Sequence, residues 1–187
     1  GNIANSIKKA CDKTSYYLSK LGDCFFAFLK KYDKVIYLVI ITILSLVLRY
    51  TLLDCVRGDF KAFLKPWYTK IYEGGFEVLG TTFGDYTPSY YYLLYFISLF
   101  KIDPESMMLL HAIKWISIVF DYALAIFASL ICYELTKNKI KTLICYTSIV
   151  FGLTVFLISA LWGQCDAIYV TFCVASFYFI LKNKPHT

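Results

Sequence analysis

Apolar residues in this chain occur in long blocks that short charged stretches separate. Of the 187 residues, 59% are hydrophobic and 17% are charged. One block runs without a charge from Val35 to Leu48, and a longer one covers Met107–Leu135. A disordered chain has too few apolar residues to show this pattern, and a soluble domain distributes them in shorter periods. The pattern therefore predicts an integral membrane protein.

The blocks predict an all-α membrane fold with four to five transmembrane helices. The expected spans are Val35–Leu53, Pro88–Ile102, Met107–Leu135, Ile140–Ala160 and Ala167–Leu181. As a helix, Pro88–Ile102 would rise only about 22 Å, whereas the hydrocarbon core of a bilayer is about 30 Å thick. This segment either crosses with strain or is re-entrant.

Positive charge lies between the apolar blocks, and the net charge is +6. Because it does not form a periodic solvated face, no nucleic-acid partner is expected. Residues 1–34, with seven lysines and three aspartates, are predicted as a separate basic amphipathic segment. It lies on an anionic bilayer surface or packs as an ordinary cytosolic helix. The positive-inside tendency places the N-terminus in the cytoplasm and favours a re-entrant Pro88–Ile102.

Within the transmembrane module, residues 35–187, the stretch 54–87 is predicted as the first outer loop. Apolar residues recur there at helical spacing between Phe60 and Ile71, which predicts one or two short helices on the membrane surface. Pro66 would begin or kink the second of them, and Gly74–Gly75 would end it. In the favoured topology this loop shares the outer face with the break at Trp162–Asp166.

Asp59 in this loop is a candidate general base, because a carboxylate at a membrane surface can accept a proton from a sugar hydroxyl. Arg57 and Arg49 nearby have the guanidinium geometry that holds a phosphate. A structural alternative has equal weight from spacing alone, namely that Asp59 caps the helix that begins at Phe60.

Ionisable residues inside predicted spans indicate function or specific pairing, since they are costly there. Lys114 and Asp121 are seven residues apart in one helix, about 10.5 Å along its axis, which is long for an ion pair. Each is expected to meet another partner, and a lipid phosphate is one candidate for Lys114. The alternative is an internal pairing network that orients the helices.

The stretch Trp162-Gly163-Gln164-Cys165-Asp166 interrupts an apolar run. Glycine permits a sharp break and tryptophan suits a membrane interface. Gln164 and Asp166 require polar partners, which a bound sugar or the first loop would supply. The chain has seven cysteines but no short-spaced cluster of cysteine and histidine, so no metal-ligating residue is assigned.

An ordered series of short motifs runs through most of the chain. The series is Arg49, Gly58-Asp59, Pro66-Trp67, Gly74-Gly75, Tyr86-Thr87-Pro88-Ser89-Tyr90, Lys114 with Asp121, and Trp162-Gly163-Gln164-x-Asp166. From about Leu48 to Leu181 it resembles the N-terminal half of integral-membrane glycosyltransferases of the C-type superfamily. Among these it is most similar to bacterial mannosyltransferase-like proteins with a WGQxD motif.

The resemblance implies transfer of a sugar from a polyprenyl-phosphate-linked donor to a hydroxyl of a glycan, lipid or protein acceptor. Transfer would take place on the extracytoplasmic face of the bacterial cytoplasmic membrane, and its products would belong to the cell envelope. The acidic first-loop residue of the family is its catalytic base and corresponds to Asp59. Its phosphate-holding residues would fall on Arg49, Arg57 or Lys114. The other expected substrate-binding residues are Asp121, Trp162, Gln164 and Asp166, and a divalent cation stays open as a cofactor.

Two other functions remain open at this stage. The chain has fewer spans than such enzymes, which favours a non-catalytic membrane subunit that binds lipid-linked sugar or scaffolds a partner subunit. Buried charge alone would also suit a fragment of a transporter. Turnover in the presence and absence of a partner separates the first of these from an enzyme.

Overall fold

The computed structural model describes residues 16–17, 19–24 and 27–183. Every regular element in this part of the chain is a helix. The chain divides into two compact units, residues 1–41 and 42–187. In the first unit the described residues are helical except at Tyr32. Lys8, Lys9 and Lys13, which define much of the predicted amphipathic segment, lie outside the described residues.

The helices follow the predicted blocks closely. They are α1 Asp33–Tyr50, α2 Lys65–Gly74, α3 Pro88–Ser98, α4 Met107–Thr136, α5 Lys139–Val150, α6 Leu153–Phe156 and α7 Asp166–Lys182. A π-helical turn, Phe60–Leu64, leads into α2, and a second one, Leu157–Trp162, continues α6. A 3₁₀ helix, Gly75–Gly80, follows α2.

The ends of α2 are those that the sequence predicts. Pro66 lies in its first turn, where a missing N–H group costs nothing. The helix ends at Gly74, and Gly75 follows with a positive φ of 64°. The predicted helices of the first loop are therefore confirmed, while their position on a membrane stays a prediction.

The longest helix, α4, forms the centre of the second unit. Its 30 residues rise about 45 Å. The Ser106 side chain caps its start by accepting a hydrogen bond from the Met108 N–H group. At its end, Lys137 turns into the left-handed region, and Asn138 caps α5 through the backbone N–H groups of Ile140 and Lys141. This two-residue turn makes α4 and α5 an antiparallel hairpin, and α7 packs along α4 as well.

The predicted span Ile140–Ala160 is not one continuous helix, because α5 ends at Val150 and the segment Leu153–Trp162 continues at an angle of 43° to it. A Cβ atom at Gly152 would lie 3.1 Å from the Ser148 carbonyl oxygen. That contact is tighter than side chains ordinarily tolerate, so glycine permits the two backbone segments to meet closely here.

Among the described helices, only α4 is long and apolar enough to cross a bilayer by itself. The bent pair that runs from Lys139 to Trp162 meets the same test if it is counted as one span. Helix α1 is 18 residues long but includes Asp33, Lys34 and Arg49, and α7 has 17 residues.

An aromatic and aliphatic core joins α2, α3, the first turns of α4 and the start of α7. Its buried members include Leu64, Trp67, Tyr68, Ile71, Tyr91, Leu94, Leu109, Leu110 and Ile168. The stretch that precedes α3 is tied to this core, because the Tyr86 backbone N–H group donates to the Tyr91 hydroxyl at 3.0 Å. The core therefore fixes the first loop against the start of α7.

Candidate functional site

Asp59 and Gln164 meet directly, although 105 residues separate them in the sequence. The Gln164 side-chain nitrogen donates to Oδ2 of Asp59 at 2.6 Å. Asp59 is half-buried and makes no side-chain capping bond to the turn that begins at Phe60. The capping alternative is therefore wrong, and the expected meeting of the first loop with the Trp162–Asp166 break is confirmed for this pair.

Tyr86 extends this pair into a chain of three polar side chains. Its hydroxyl donates to the carbonyl oxygen of the Gln164 side chain at 2.6 Å. Both ends of the amide are thus engaged, which fixes its orientation and that of the Asp59 carboxylate. The Tyr86 ring also packs against Trp67, with ring centroids 4.9 Å apart.

Gly163 gives the Gln164 side chain its direction. The π-helical turn ends at Trp162, and Gly163 follows with a φ of 73°, a conformation that L-residues with side chains rarely adopt. A Cβ atom there would touch Cγ of Lys114 at 3.4 Å. The sharp turn redirects the chain against α4 and places Gln164 over the first loop.

Lys114 fixes the start of the first loop instead of reaching solvent. It is fully buried, and its ammonium group donates to the backbone oxygens of Leu52, Leu53 and Cys55 at 2.8–2.9 Å. An ammonium group has three protons, so these bonds use all of them. Lys114 therefore does what the internal-network alternative expected, and it does not extend toward a lipid phosphate.

Replacing Lys114 with methionine is expected to loosen this loop, because three carbonyl oxygens lose their shared donor while the aliphatic volume is kept. We expect the free energy of unfolding to fall by about 2 kcal/mol, with faster proteolysis within residues 51–57. Exposed Lys101 provides the matched control, Lys101→Met. Equal proteolysis rates and unfolding midpoints for Lys114→Met and the control would refute this positioning role.

Arg49 and Asp121 form a fully buried ion pair. Nε and Nη2 of Arg49 lie 3.1 and 3.0 Å from Oδ2 of Asp121, and both side chains have 0% exposure. Nη1 of Arg49 donates to the Val150 carbonyl at 2.9 Å and to the Ser45 hydroxyl. Ser159 donates to the same carboxylate oxygen.

The expectation that Arg49 and Asp121 bind substrate is corrected by this geometry. Each guanidinium nitrogen has a protein acceptor, and neither side chain reaches the surface. A buried charge is stable only when it is paired, so this pair ties α1 to α4. The expectation that Lys114 and Asp121 have separate partners is confirmed.

The remaining predicted site residues are exposed. The Arg57 guanidinium carbon lies 6.0 Å from the centre of the Trp162 indole ring, within range of a cation–π contact. Asp166 occupies the first turn of α7, where a negative charge suits the helix dipole. Arg57 is therefore the one predicted phosphate-binding residue whose charge faces outward.

Sequence reasoning missed the part that Tyr86, Ser45 and Ser159 play. Tyr86 lies in an aromatic-rich stretch, and such stretches are typical of the membrane interface, so its residue type alone does not indicate a role in the site. Ser45 and Ser159 lie inside apolar blocks, where a buried hydroxyl needs a partner. That requirement indicates that Ser45 and Ser159 have hydrogen-bond partners, but it does not identify those partners.

Burial raises the pKa of the Tyr86 hydroxyl from 10.0 to about 12, and the acidic groups of Cys165, Asp166 and Asp59 add to the rise. Since this pKa exceeds that of an exposed tyrosine, the stability that Tyr86 contributes is complete below pH 10 and is lost as the pH rises toward 12. The hydroxyl therefore remains a donor to Gln164 throughout the physiological range.

We expect the wild-type protein and Tyr86→Phe to show the same phenolate absorbance at about pH 10.5, because Tyr86 is still protonated there. A tyrosine of ordinary pKa would add about three quarters of one phenolate at that pH. A difference of that size between the two proteins would contradict the burial of the Tyr86 hydroxyl.

No group of three or more histidine, cysteine, aspartate or glutamate side chains in the described ranges is arranged to hold a metal ion. The chain matches no protein-family model, no curated protein and no solved structure. The case for a function therefore rests on the arrangement of four side chains, those of Asp59, Gln164, Tyr86 and Arg57.

Proposed function

We propose that this chain is a module of an integral-membrane glycosyltransferase that uses a polyprenyl-phosphate-linked sugar. One observation carries the proposal, namely the hydrogen bond between Gln164 and Asp59 that joins the two predicted halves of the site. Gln164 holds Oδ2 of the carboxylate, and Oδ1 has no hydrogen-bond partner among the described side chains. Oδ1 is thus the oxygen with which Asp59 meets an acceptor hydroxyl.

In the proposed reaction, Asp59 removes the proton of an acceptor hydroxyl as its oxygen attacks the anomeric carbon. The bond from that carbon to the phosphate oxygen breaks, and its electron pair leaves with the polyprenyl phosphate. Because attack and departure take place on opposite faces, the anomeric configuration inverts. Arg57, exposed beside Trp162, stabilises the negative charge on the departing phosphate.

The membrane location rests on the exposed apolar surface of the helices. Only 28% of the most apolar stretch of α4 is buried, whereas the core helix of a soluble protein is mostly buried. Large side chains such as Val119, Phe172 and Phe177 are 61–64% exposed. A surface this apolar is stable against lipid and unstable against water, which supports four to five membrane segments as part of the proposal.

The length of α3 favours a re-entrant segment over a crossing. Its 11 residues rise about 16 Å, roughly half the thickness of the hydrocarbon core. With α3 re-entrant, the first loop and the Gln164 turn lie on one side of the bilayer, as their direct contact requires. That side is the extracytoplasmic one if the basic N-terminal segment is cytoplasmic.

The proposal is tested with the chain in lipid nanodiscs and a series of polyprenyl-phosphate hexoses, beginning with mannose. We expect release of polyprenyl phosphate and a glycoside of inverted anomeric configuration when bacterial envelope glycans, lipids or proteins are supplied as acceptors. If the chain binds the donor but releases no polyprenyl phosphate, either by itself or with added membrane extract, it is a non-catalytic subunit and not an enzyme. A product of retained configuration would exclude the single-displacement mechanism.

A further inference from the structure

A cavity of about 190 Å³ lies between the beginnings of α3 and α7. Apolar side chains form most of its wall, among them Leu93 of α3, Phe120 of α4, and Ile168 and Phe172 of α7. An apolar protein cavity of about 150 Å³ admits a benzene-sized group. The cavity is therefore large enough for a branched segment of about five carbon atoms.

Three of the residues that line this cavity carry hydroxyl groups. Tyr90 lines it and is 3% exposed, and its hydroxyl oxygen has no hydrogen-bond partner among the described residues. Such a buried hydroxyl is costly unless something bonds to it. Ser89 and Tyr169 belong to the same wall, and the Tyr169 hydroxyl lies 2.9 Å from that of Thr87.

The hydroxyl-bearing residues of the wall adjoin the candidate site. Thr87 follows Tyr86, whose hydroxyl bonds to Gln164, and the rings of Tyr86 and Tyr90 lie 5.5 Å apart. A ligand whose apolar part fills the cavity would therefore present its polar end to Gln164 and Asp59.

A second, open groove of about 310 Å³ continues along the outside of α3 and α4. Leu93 and Phe120 line both spaces, and the groove adds Phe96, Trp115 and Val119. These three added side chains are 39–61% exposed. The cavity and the groove together form an apolar track that begins at the site and ends on the exposed helix face.

We infer that this track holds the isoprenoid chain of a polyprenyl phosphate, with the first isoprene unit in the cavity and the chain extending along the groove. The inference rests on the proposed function and names the part of the molecule that holds the donor lipid. A sugar does not suit the cavity, because its several hydroxyls would lose water without gaining partners from an apolar wall. An isoprenoid chain has no polar atom except the ester oxygen that joins it to the phosphate, and this oxygen can accept a hydrogen bond from the unpartnered hydroxyl of Tyr90.

The test measures binding of farnesyl phosphate to the chain in phosphatidylcholine nanodiscs. Leu93→Trp fills the space shared by cavity and groove, and we expect affinity to fall at least about tenfold. Leu99→Trp makes the same change at an exposed position on the end of α3 and is expected to bind as wild type. Tyr90→Phe is expected to weaken binding about fivefold while the unfolding midpoint of the unliganded protein stays level or rises.

Wild-type affinity in a folded Leu93→Trp variant would overturn the inference. It would also be overturned if phosphatidic acid displaced farnesyl phosphate equally well, because the track would then bind bulk phospholipid. Should Leu93→Trp fail to fold, Tyr90→Phe decides by the same binding measurement. Binding is read without turnover, so the two proposals fail separately. Farnesyl phosphate bound in the track without sugar transfer rejects the function, and transfer that is unaltered by Leu93→Trp rejects the track.

Discussion

Replacing Asp59 with asparagine is expected to slow sugar transfer by about 10²–10⁴-fold, the range that general-base catalysis supplies. Asparagine keeps an oxygen that can accept the Gln164 hydrogen bond, so the loop stays in place. It cannot take up the proton of the acceptor hydroxyl. The measurement is the rate of polyprenyl phosphate release at saturating donor, with the unfolding midpoint recorded for each protein.

Asp85 supplies the matched control, because it is exposed in the same loop and its replacement removes the same charge. We expect Asp85→Asn to transfer sugar at close to the wild-type rate. If Asp59→Asn retains nearly full activity, Asp59 is not the base. If both variants lose activity equally, the loop acts through its overall charge.

Separating the buried ion pair is expected to have the largest effect on stability. Asp121→Leu leaves the Arg49 guanidinium without its carboxylate partner at a fully buried position. Removal of one partner of such a pair costs about 3–5 kcal/mol in the free energy of unfolding. Arg49→Met is expected to cost a similar amount, because it leaves the Asp121 charge unpaired.

The double variant Arg49→Met with Asp121→Leu is expected to recover much of this loss, since two apolar side chains of similar volume need no partner. Denaturant unfolding of the four proteins in one detergent gives the coupling free energy of the pair. Additive losses, with the double variant the least stable of the four, would show that the two charges do not depend on each other.

Much of the helical layout could be predicted from the sequence because apolar blocks and helix-ending residues are local signals. The bounds of α4 and the end of α2 at Gly74 were predicted to within one residue. The bend at Gly152 was missed, because an apolar run has the same pattern whether or not its helix is broken. A single glycine inside such a run does not specify a bend.

The site was predicted less completely, since its contacts join residues far apart in the sequence. Chemistry alone indicated that Gln164 and Asp166 need polar partners, and the favoured topology placed them on the same face as the first loop. Nothing local indicated that Arg49 would pair with Asp121 instead of a phosphate. Residue type gives the need for a partner, and the three-dimensional packing decides which partner meets it.

The hydrogen bond between Gln164 and Asp59 also has a consequence for the order of assembly during translation. A ribosome that adds about 5–20 residues per second makes residue 164 some 5–20 s after residue 59. The α4–α5 hairpin involves only neighbouring sequence and can close during this interval. A nascent chain released before residue 164 would have the α4–α5 hairpin and the first loop. It would lack Gln164, so nothing would orient the Asp59 carboxylate.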